Sequence, residues 1–328
     1  MTSIAPKVSV VIPNYNGISY LRDCLESVYR ESVVPDRVIV VDNGSKDGSA
    51  EEAEQLFPEA EMLRMGENTG FCGAVNAGIR ASEGMDYVIL LNNDTIVDRN
   101  FTRELVRAME RKSSVFSCQA KMLSMKDPEL MDDAGDLYCG LGWAFARGKG
   151  KPEKLYRRPA EIFSSCAGAA IYRKSILDEI GLFDENHFAY LEDCDIGWRA
   201  RIQGYHNLFI PSARVLHVGS ASSGSVYNLF KVINTSRNSI YVIAKNMPVP
   251  QILLNLPTLI PGFLVKAAFF AAKGYGREYV QGIAKGFLLA MKGRREGKIV
   301  RFYPENFGNY VRIQFELWIN IVRRFLQG

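Results

Sequence analysis

Val8-Ser9-Val10-Val11-Ile12-Pro13-Asn14-Tyr15-Asn16, Arg37-Val38-Ile39-Val40-Val41-Asp42 and Tyr87-Val88-Ile89-Leu90-Leu91-Asn92-Asn93-Asp94 share one pattern: a short apolar run that gives way to Asn or Asp. Runs of this length, without polar alternation, read as buried strands. Leu21, Leu25, Val28 and Tyr29 recur at helical spacing, which predicts a helix over Tyr20 to Glu31. A turn cluster, Asn43-Gly44-Ser45-Lys46-Asp47-Gly48, precedes a second helix near Ser49, whose Glu51 and Glu52 suit its positive end. Glu61 to Arg64 reads as a weak strand and Gly70 to Ala81 as a small-residue helix. Strands alternating with helices predict an α/β, Rossmann-like, mostly parallel sheet with right-handed crossovers. Ligands of such sheets bind beyond the carboxyl ends of the strands, where all three Asn/Asp clusters fall.

The chain has 328 residues, enough for one large domain and an appendage. No apolar leader precedes the first strand, and the six cysteines form no C-x-x-C pair, so reduced thiols are expected. The net charge of +4 is uneven: residues 242 to 328 carry 13 Lys+Arg against 4 Asp+Glu. No Gly-x-Gly-x-x-Gly follows the first strand, which disfavours a dinucleotide oxidoreductase. No Gly-rich, basic triphosphate loop follows it either, which disfavours a nucleotidyltransferase.

Each polar candidate has two readings. Asp42 either accepts hydrogen bonds from a nucleoside or caps the Asn43-Gly44 turn. Asp94, with Asn92 and Asn93, either supplies oxygen ligands to Mg²⁺ or Mn²⁺ or only ends a strand. His217 is a competent ligand for such a metal or a structural imidazole. Glu192 and Asp193 open a helix expected to be amphipathic, with Ile196, Trp198, Ala200 and Ile202. They are dipole-favoured acids, or Asp193 is a general base and Glu192 orients the acceptor, with Asp195 a competing base. Gly66 to Phe71, including Asn68 and Gly70, leads into a helix N-terminus that faces a nucleotide or merely enters the helix. Gly168 and Ala169 line a sugar or pack tightly. Arg237 reaches a diphosphate or faces solvent. Gly219, Ser220, Ser222 and Ser223 suit a segment that closes over a diphosphate, or an ordinary polar loop.

The ordered set Val8 to Asn16, Val41 to Ser45, Asn68 to Phe71 with Asn76-Ala77-Gly78, Leu91 to Asp94, Leu191-Glu192-Asp193 and His217 resembles the family 2 glycosyltransferases of GT-A fold. The resemblance spans roughly residues 8 to 240 and looks closest to a bacterial rhamnosyltransferase-like branch that builds surface polysaccharides. It implies an inverting transferase that moves a sugar from a dTDP- or UDP-linked donor to an acceptor hydroxyl. Pro13, Asn14, Asn16, Asp42, Asn68, Gly70, Asn76, Asn92, Asn93 and Arg237 would bind the nucleotide sugar. Asp94 and His217 would hold the metal, and Asp193 would act as base. Asn92 stands where the family's motif has a first carboxylate, so the site is one charge weaker. A non-catalytic nucleotide-sugar-binding scaffold is the competing function.

Residues 1 to 240 are thus expected to form the catalytic domain and 241 to 328 a basic amphipathic helical region. Val249 to Ala272 is apolar but interrupted by Pro250, Pro257 and Pro261, which predicts broken helices at a bilayer interface. Residues 279, 280, 283, 284, 287, 288 and 291 form one apolar stripe, and Val311, Phe315, Trp318, Val322 and Phe325 another, beside basic residues. Such helices suit an anionic membrane surface and a polyprenyl-diphosphate-linked acceptor. A packing face against the body or a second subunit is the alternative, and nucleic acid is disfavoured. The expected location is the cytoplasmic face of the membrane.

Overall fold

The computed structural model describes residues 5–219 and 227–326. The expected strands form: β1 (Val8–Asn14), β2 (Arg37–Asp42), β3 (Glu61–Arg64) and β4 (Tyr87–Leu91). So do the helices between them, α1 (Leu21–Tyr29), α2 (Ser49–Leu56) and α3 (Gly70–Ala81). The chain continues through β5 (Thr95–Val97), α4 (Phe101–Met109), β6 (Val115–Ser124), β7 (Met131–Asp133), β8 (Asp136–Cys139), β9 (Trp143–Ala146) and β10 (Ala160–Ile162). It then forms β11 (Ala169–Arg173), α5 (Lys174–Ile180), α6 (Glu192–Ile202) and β12 (His206–His217). Four long helices follow: α7 (Leu229–Asn246), α8 (Val249–Ala272), α9 (Gly276–Arg295) and α10 (Phe307–Leu326).

The sheet runs β10-β12-β6-β11-β4-β1-β2-β3. β3, β2, β1 and β4 are parallel, as are β6 and β12, whereas β11 runs antiparallel between β4 and β6. α1, α2 and α4 cover one face through Leu21, Leu25, Ala53, Phe101 and Leu105. α3, α5 and α6 cover the other through Val75, Ile79, Leu177 and Ile196. All six cysteines are free.

Two sequence expectations change. α6 is not amphipathic: every residue from Cys194 to Ile202 is buried. Its buried charges find internal partners: Arg199 donates to the carbonyls of Ile180, Gly181 and Leu182, and Arg201 to that of Ile162. Val249 to Ala272 is not broken: it is one 24-residue helix. Pro257 and Pro261 lie on its exposed side, so the carbonyls they leave unbonded open outward.

The helical region is tied to the body. Leu259, Ile313 and Leu317 pack in one core with Tyr138, Phe163 and Trp198. Thr258 donates to the carbonyl of Gly140 at 2.7 Å, and Trp143 Nε1 to that of Gly262 at 3.1 Å. A boundary at residue 240 therefore falls inside α7, which both parts share.

Candidate active site

Strand register assembles the site. Asn14 and Asp42 are paired at the carboxyl ends of β1 and β2. Asn14 Nδ2 donates to Asp42 Oδ1 at 3.3 Å, Ser45 Oγ at 3.2 Å and Ser49 Oγ at 2.9 Å, while its Oδ1 accepts from Asn93 Nδ2 at 2.8 Å. The β1 and β4 loops are thereby clasped. A Cβ on Gly17 would lie 2.2 Å from both Asn14 Oδ1 and Asn93 Nδ2, so only glycine fits beneath the clasp. Asp42 Oδ2 accepts from the backbone of Ser45, so this residue does cap the turn. Pro13 lies beside Val41 in the same ladder. Asn16, at φ 52°, binds Lys46 N through its Oδ1 and lies exposed at the rim.

β5 pairs with the end of β12 so that Thr95 lies opposite His217. This register brings Asp94 Oδ1 to 3.2 Å from His217 Nε2. The other ring nitrogen, Nδ1, lies 2.7 Å from Oδ2 of Asp132, the central residue of β7. Asp132 Oδ1 in turn accepts from Lys149 Nζ at 2.6 Å. Burial alone would lower the His217 pKa, but hydrogen bonds and charge from Asp132 and Asp94 outweigh it and hold it at about 9. Burial would raise Asp132, but His217 and Lys149 bring it down to about 2.

The base candidate reaches the same place from α6. Asp193 Oδ1 accepts from Ala167 N at 3.1 Å, and the next residue, Gly168, accepts from Asn92 N at 2.9 Å. The strap Ala167-Gly168-Ala169 thus lies between the β4 loop and α6. Asn92 Nδ2 would be 3.1 Å from a Cβ on Gly168, which explains a small residue there. Burial, then the neighbouring Glu192, pushes Asp193 well above the usual carboxylate range. Burial also pushes Glu192 up to about 7, and its Oε2 has no protein partner.

Asn68 Oδ1 binds Gly70 N at 2.9 Å and Asn43 Nδ2 at 3.2 Å, shaping the entry to α3. Gly70, at φ +77°, abuts Phe188, where a Cβ would come within 2.6 Å of the ring and the carbonyl. The loop before α6 holds Phe188, Tyr190 and Leu191 at φ 62°, 72° and 67°. Strain of this kind persists only where surroundings impose it. Here Asn238 Nδ2 donates to the carbonyls of His187, Ala189 and Tyr190 at 2.7–3.0 Å.

Two expected donor contacts lie elsewhere. Arg237 donates to the carbonyl of His187 at 2.6 Å and joins the loop clamp. Asn76 exchanges hydrogen bonds with the backbone of Phe183 and contacts Glu185. It lines a separate cavity of about 750 Å³ whose walls include none of Asp94, Asp193 or His217. Asp195 is not free to act as base, because Lys245, Arg199 and Asn246 engage it. Of the expected closing segment, Ser220, Ser222 and Ser223 lie outside the described residues. Asp132, Lys149 and Ala167 contact the candidate residues, and the sequence pattern does not single them out.

Among the described residues no group of three metal-ligating side chains occurs. Asp94 and His217 nevertheless fit a divalent cation. Adjacent ligands of an octahedral ion with bonds of about 2.1 Å are roughly 3 Å apart, and these two atoms are 3.2 Å apart. Diphosphate oxygens and water would complete such a shell, as is usual for Mg²⁺.

The Glycosyl transferase family 2 model matches residues 9–181. The chain belongs to that family. An N-acetylglucosaminyl-diphospho-decaprenol L-rhamnosyltransferase of Mycobacterium tuberculosis is 28% identical over 248 residues, 68% of this chain and 79% of that protein. The O-antigen chain rhamnosyltransferase RfbN of Salmonella typhimurium is 26% identical over 212 residues, 64% of this chain and 66% of its own. Staphylococcus aureus TarS 1-349 in complex with UDP-GlcNAc superposes with a TM-score of 0.57, covering 90% of this chain and 94% of that one at 16% identity. GalNAc-T7 with UDP, GalNAc and Mn²⁺ gives 0.60, covering 74% and 48% at 18% identity. These two likenesses establish the GT-A-like fold.

Proposed function

We propose that this glycosyltransferase moves a hexose, with rhamnose the first candidate, from a dTDP- or UDP-linked donor to a hydroxyl of a polyprenyl-diphosphate-linked glycan, with inversion. The observation that carries this reading is convergence. Hydrogen bonds run from Asp42 through Asn14 to Asn93, from Asn92 to the Ala167-Gly168 strap, and from that strap to Asp193. Asp94 and His217 flank the same loop.

The nucleotide would sit against Asn14, Asp42 and the Asn68-Gly70 turn. Asp94 and His217 would hold Mg²⁺ or Mn²⁺, which when bound offsets charge on the departing diphosphate. Asp193 would remove the acceptor proton. Its raised proton affinity suits that role, since a carboxylate of ordinary pKa is a weak base towards a hydroxyl. Asp193 Oδ1 is fixed by Ala167, which orients the carboxylate. Single displacement by a base-activated hydroxyl inverts the anomeric centre. A scaffold without catalysis would need neither a proton-avid Asp193 nor a metal pair at the same strand edge.

The acceptor's lipid fits the surface of the helical region. α8 is long and apolar enough to cross a bilayer. One of its faces is nevertheless bonded to α10 through Asn255 and to the body through Thr258. Its other face exposes Leu253, Leu254, Ile260, Leu264 and Val265. We read it as lying along the cytoplasmic face of the membrane.

The deciding experiment is Asp193→Asn, assayed across a panel of nucleotide sugars with Mg²⁺ or Mn²⁺. Transfer should fall at least 100-fold while the cognate donor still raises the melting temperature. Undiminished transfer would exclude Asp193 as base.

A further inference from the structure

We infer that Asp132 is a positioning residue for the cation site: by accepting from His217 Nδ1 it fixes the imidazole so that Nε2 is presented to the ion beside Asp94. This inference rests on the proposed role of Asp94 and His217 as the metal pair.

Three observations carry it. First, the imidazole is held at both ends, with Asp132 Oδ2 at 2.7 Å from Nδ1 and Asp94 Oδ1 at 3.2 Å from Nε2. The contact to Asp132 is the shorter and lies in the range of a charge-assisted hydrogen bond. A neutral imidazole has one N–H and one lone pair, so donation to Asp132 through Nδ1 leaves the lone pair on Nε2. Second, the side chains of Asp94, His217 and Asp132 are only 9%, 13% and 15% exposed, so solvent screens these contacts weakly. Third, Asp132 is itself anchored: Lys149 Nζ lies 2.6 Å from its other oxygen. Both oxygens are thus assigned, and the carboxylate is a fixed support outside the ligand pair.

The supports come from separate parts of the chain. Asp132 lies on β7, which pairs with β6, whereas His217 ends β12 on the opposite side of β6. The orientation of His217 is therefore set by tertiary structure, and its own strand leaves the ring free to turn about χ1 and χ2. Outer partners of metal-bound histidines typically contribute 10- to 100-fold in metal affinity.

The test is Mn²⁺ binding to the full chain, followed by electron paramagnetic resonance with the metal alone and with UDP or dTDP present. Asp132→Ala should weaken Mn²⁺ about 10- to 100-fold, with an unchanged far-ultraviolet spectrum. Asp132→Asn is nearly isosteric and retains an acceptor oxygen, so it should lose less. His217→Ala and Asp94→Ala serve as references. If both references lose Mn²⁺ while Asp132→Ala and Asp132→Asn bind within threefold of the parent, the positioning role is wrong and the metal pair stands. If His217→Ala binds Mn²⁺ like the parent, the metal pair itself is wrong.

Discussion

Lys245 Nζ lies 2.8 Å from Asp195 Oδ2, both buried between α7 and α6. The same ammonium is 2.8 Å from Asp184 Oδ2. Burial would raise both carboxyls, yet Lys245 outweighs it and holds both well below the usual carboxylate range. Lys245→Met would leave two buried carboxylates short of their counter-charge. The expected loss is about 3–5 kcal/mol in urea unfolding at pH 7, as for other broken buried pairs. Folded-state pKa values below the unfolded ones stabilise above pH about 4, and that stability drains away as acid protonates the carboxylates. The parent should therefore lose stability below pH 4 more steeply than a Lys245→Met, Asp195→Asn double variant. Equal stability of parent and Lys245→Met would refute the pairing.

The clamp on the loop before α6 has a kinetic signature. Asn238 is fully buried and spends its amide on three carbonyls of a loop with three left-handed non-glycine residues. That loop sets where Asp193 enters α6. Asn238→Leu should lower kcat by roughly 100-fold, the scale of an ångström's misplacement, while donor affinity stays within about threefold. A drop in donor affinity with kcat preserved would show that the clamp serves the nucleotide side instead.

Glu31 gives a pH prediction away from the site. Its carboxylate accepts from Thr102 N at 2.7 Å and Thr102 Oγ1 at 2.8 Å, in the first turn of α4. Burial pushes it up to about 7 from an ordinary 4.5, only partly offset by Thr102. The folded chain therefore holds a proton that the unfolded chain has released across that window, so this residue's contribution to stability falls as pH rises. Relative to Glu31→Gln, the parent should lose on the order of 3 kcal/mol between pH 4 and 8. A pH-independent difference between the two in thermal or urea unfolding would contradict this.

What the sequence reveals depends on whether a residue's partner is local. β1, β2 and β4 are legible because uninterrupted apolar runs stop at Asn or Asp. β6 is not, since buried Ser117, Gln119 and Lys121 disguise it; Ser117 is matched by Asn207, Gln119 by Asp133 and Cys166, and Lys121 by Glu153. Asp94 and His217 are legible as candidates, but their meeting depends on a pairing across more than a hundred residues. Asp132 carries no pattern at all, because its role exists only once β7 and β12 lie on either side of β6. Arg237 and Asn76 mislead for the same reason: a polar residue on a helix does not disclose which carbonyl it faces. The prolines of α8 suggest a break, yet Pro250 sits in the first turn, where no hydrogen bond is lost, and Pro257 and Pro261 both face outward, where a missing one costs little.

The helical region offers a prediction in which rotation about each helix axis decides the outcome. The apolar stripes of α9 and α10 could have been packing faces. α9 instead buries Gly282, Gly286 and Gly293 against α7, where a Cβ on Gly286 would come within 2.5 Å of the Arg237 carbonyl. Val280, Phe287, Leu288 and Met291 are left outward, and α10 likewise exposes Phe315, Val322 and Phe325 while burying Ile313 and Leu317. Arg312, Arg323 and Arg324 flank that exposed stripe. Burying each large apolar side chain in a bilayer interface contributes on the order of 1 kcal/mol. Phe287→Ser, Phe315→Ser and Val322→Ser combined should reduce partition onto vesicles of mixed zwitterionic and anionic lipid by about 100-fold, with folding unaffected because none of the three is a core residue. Raising the salt should weaken the parent's binding only in part, since the apolar contribution is not screened. Undiminished vesicle binding by the triple variant would mean that these faces serve another purpose, and a shift from dimer to monomer in sedimentation would identify it as self-association.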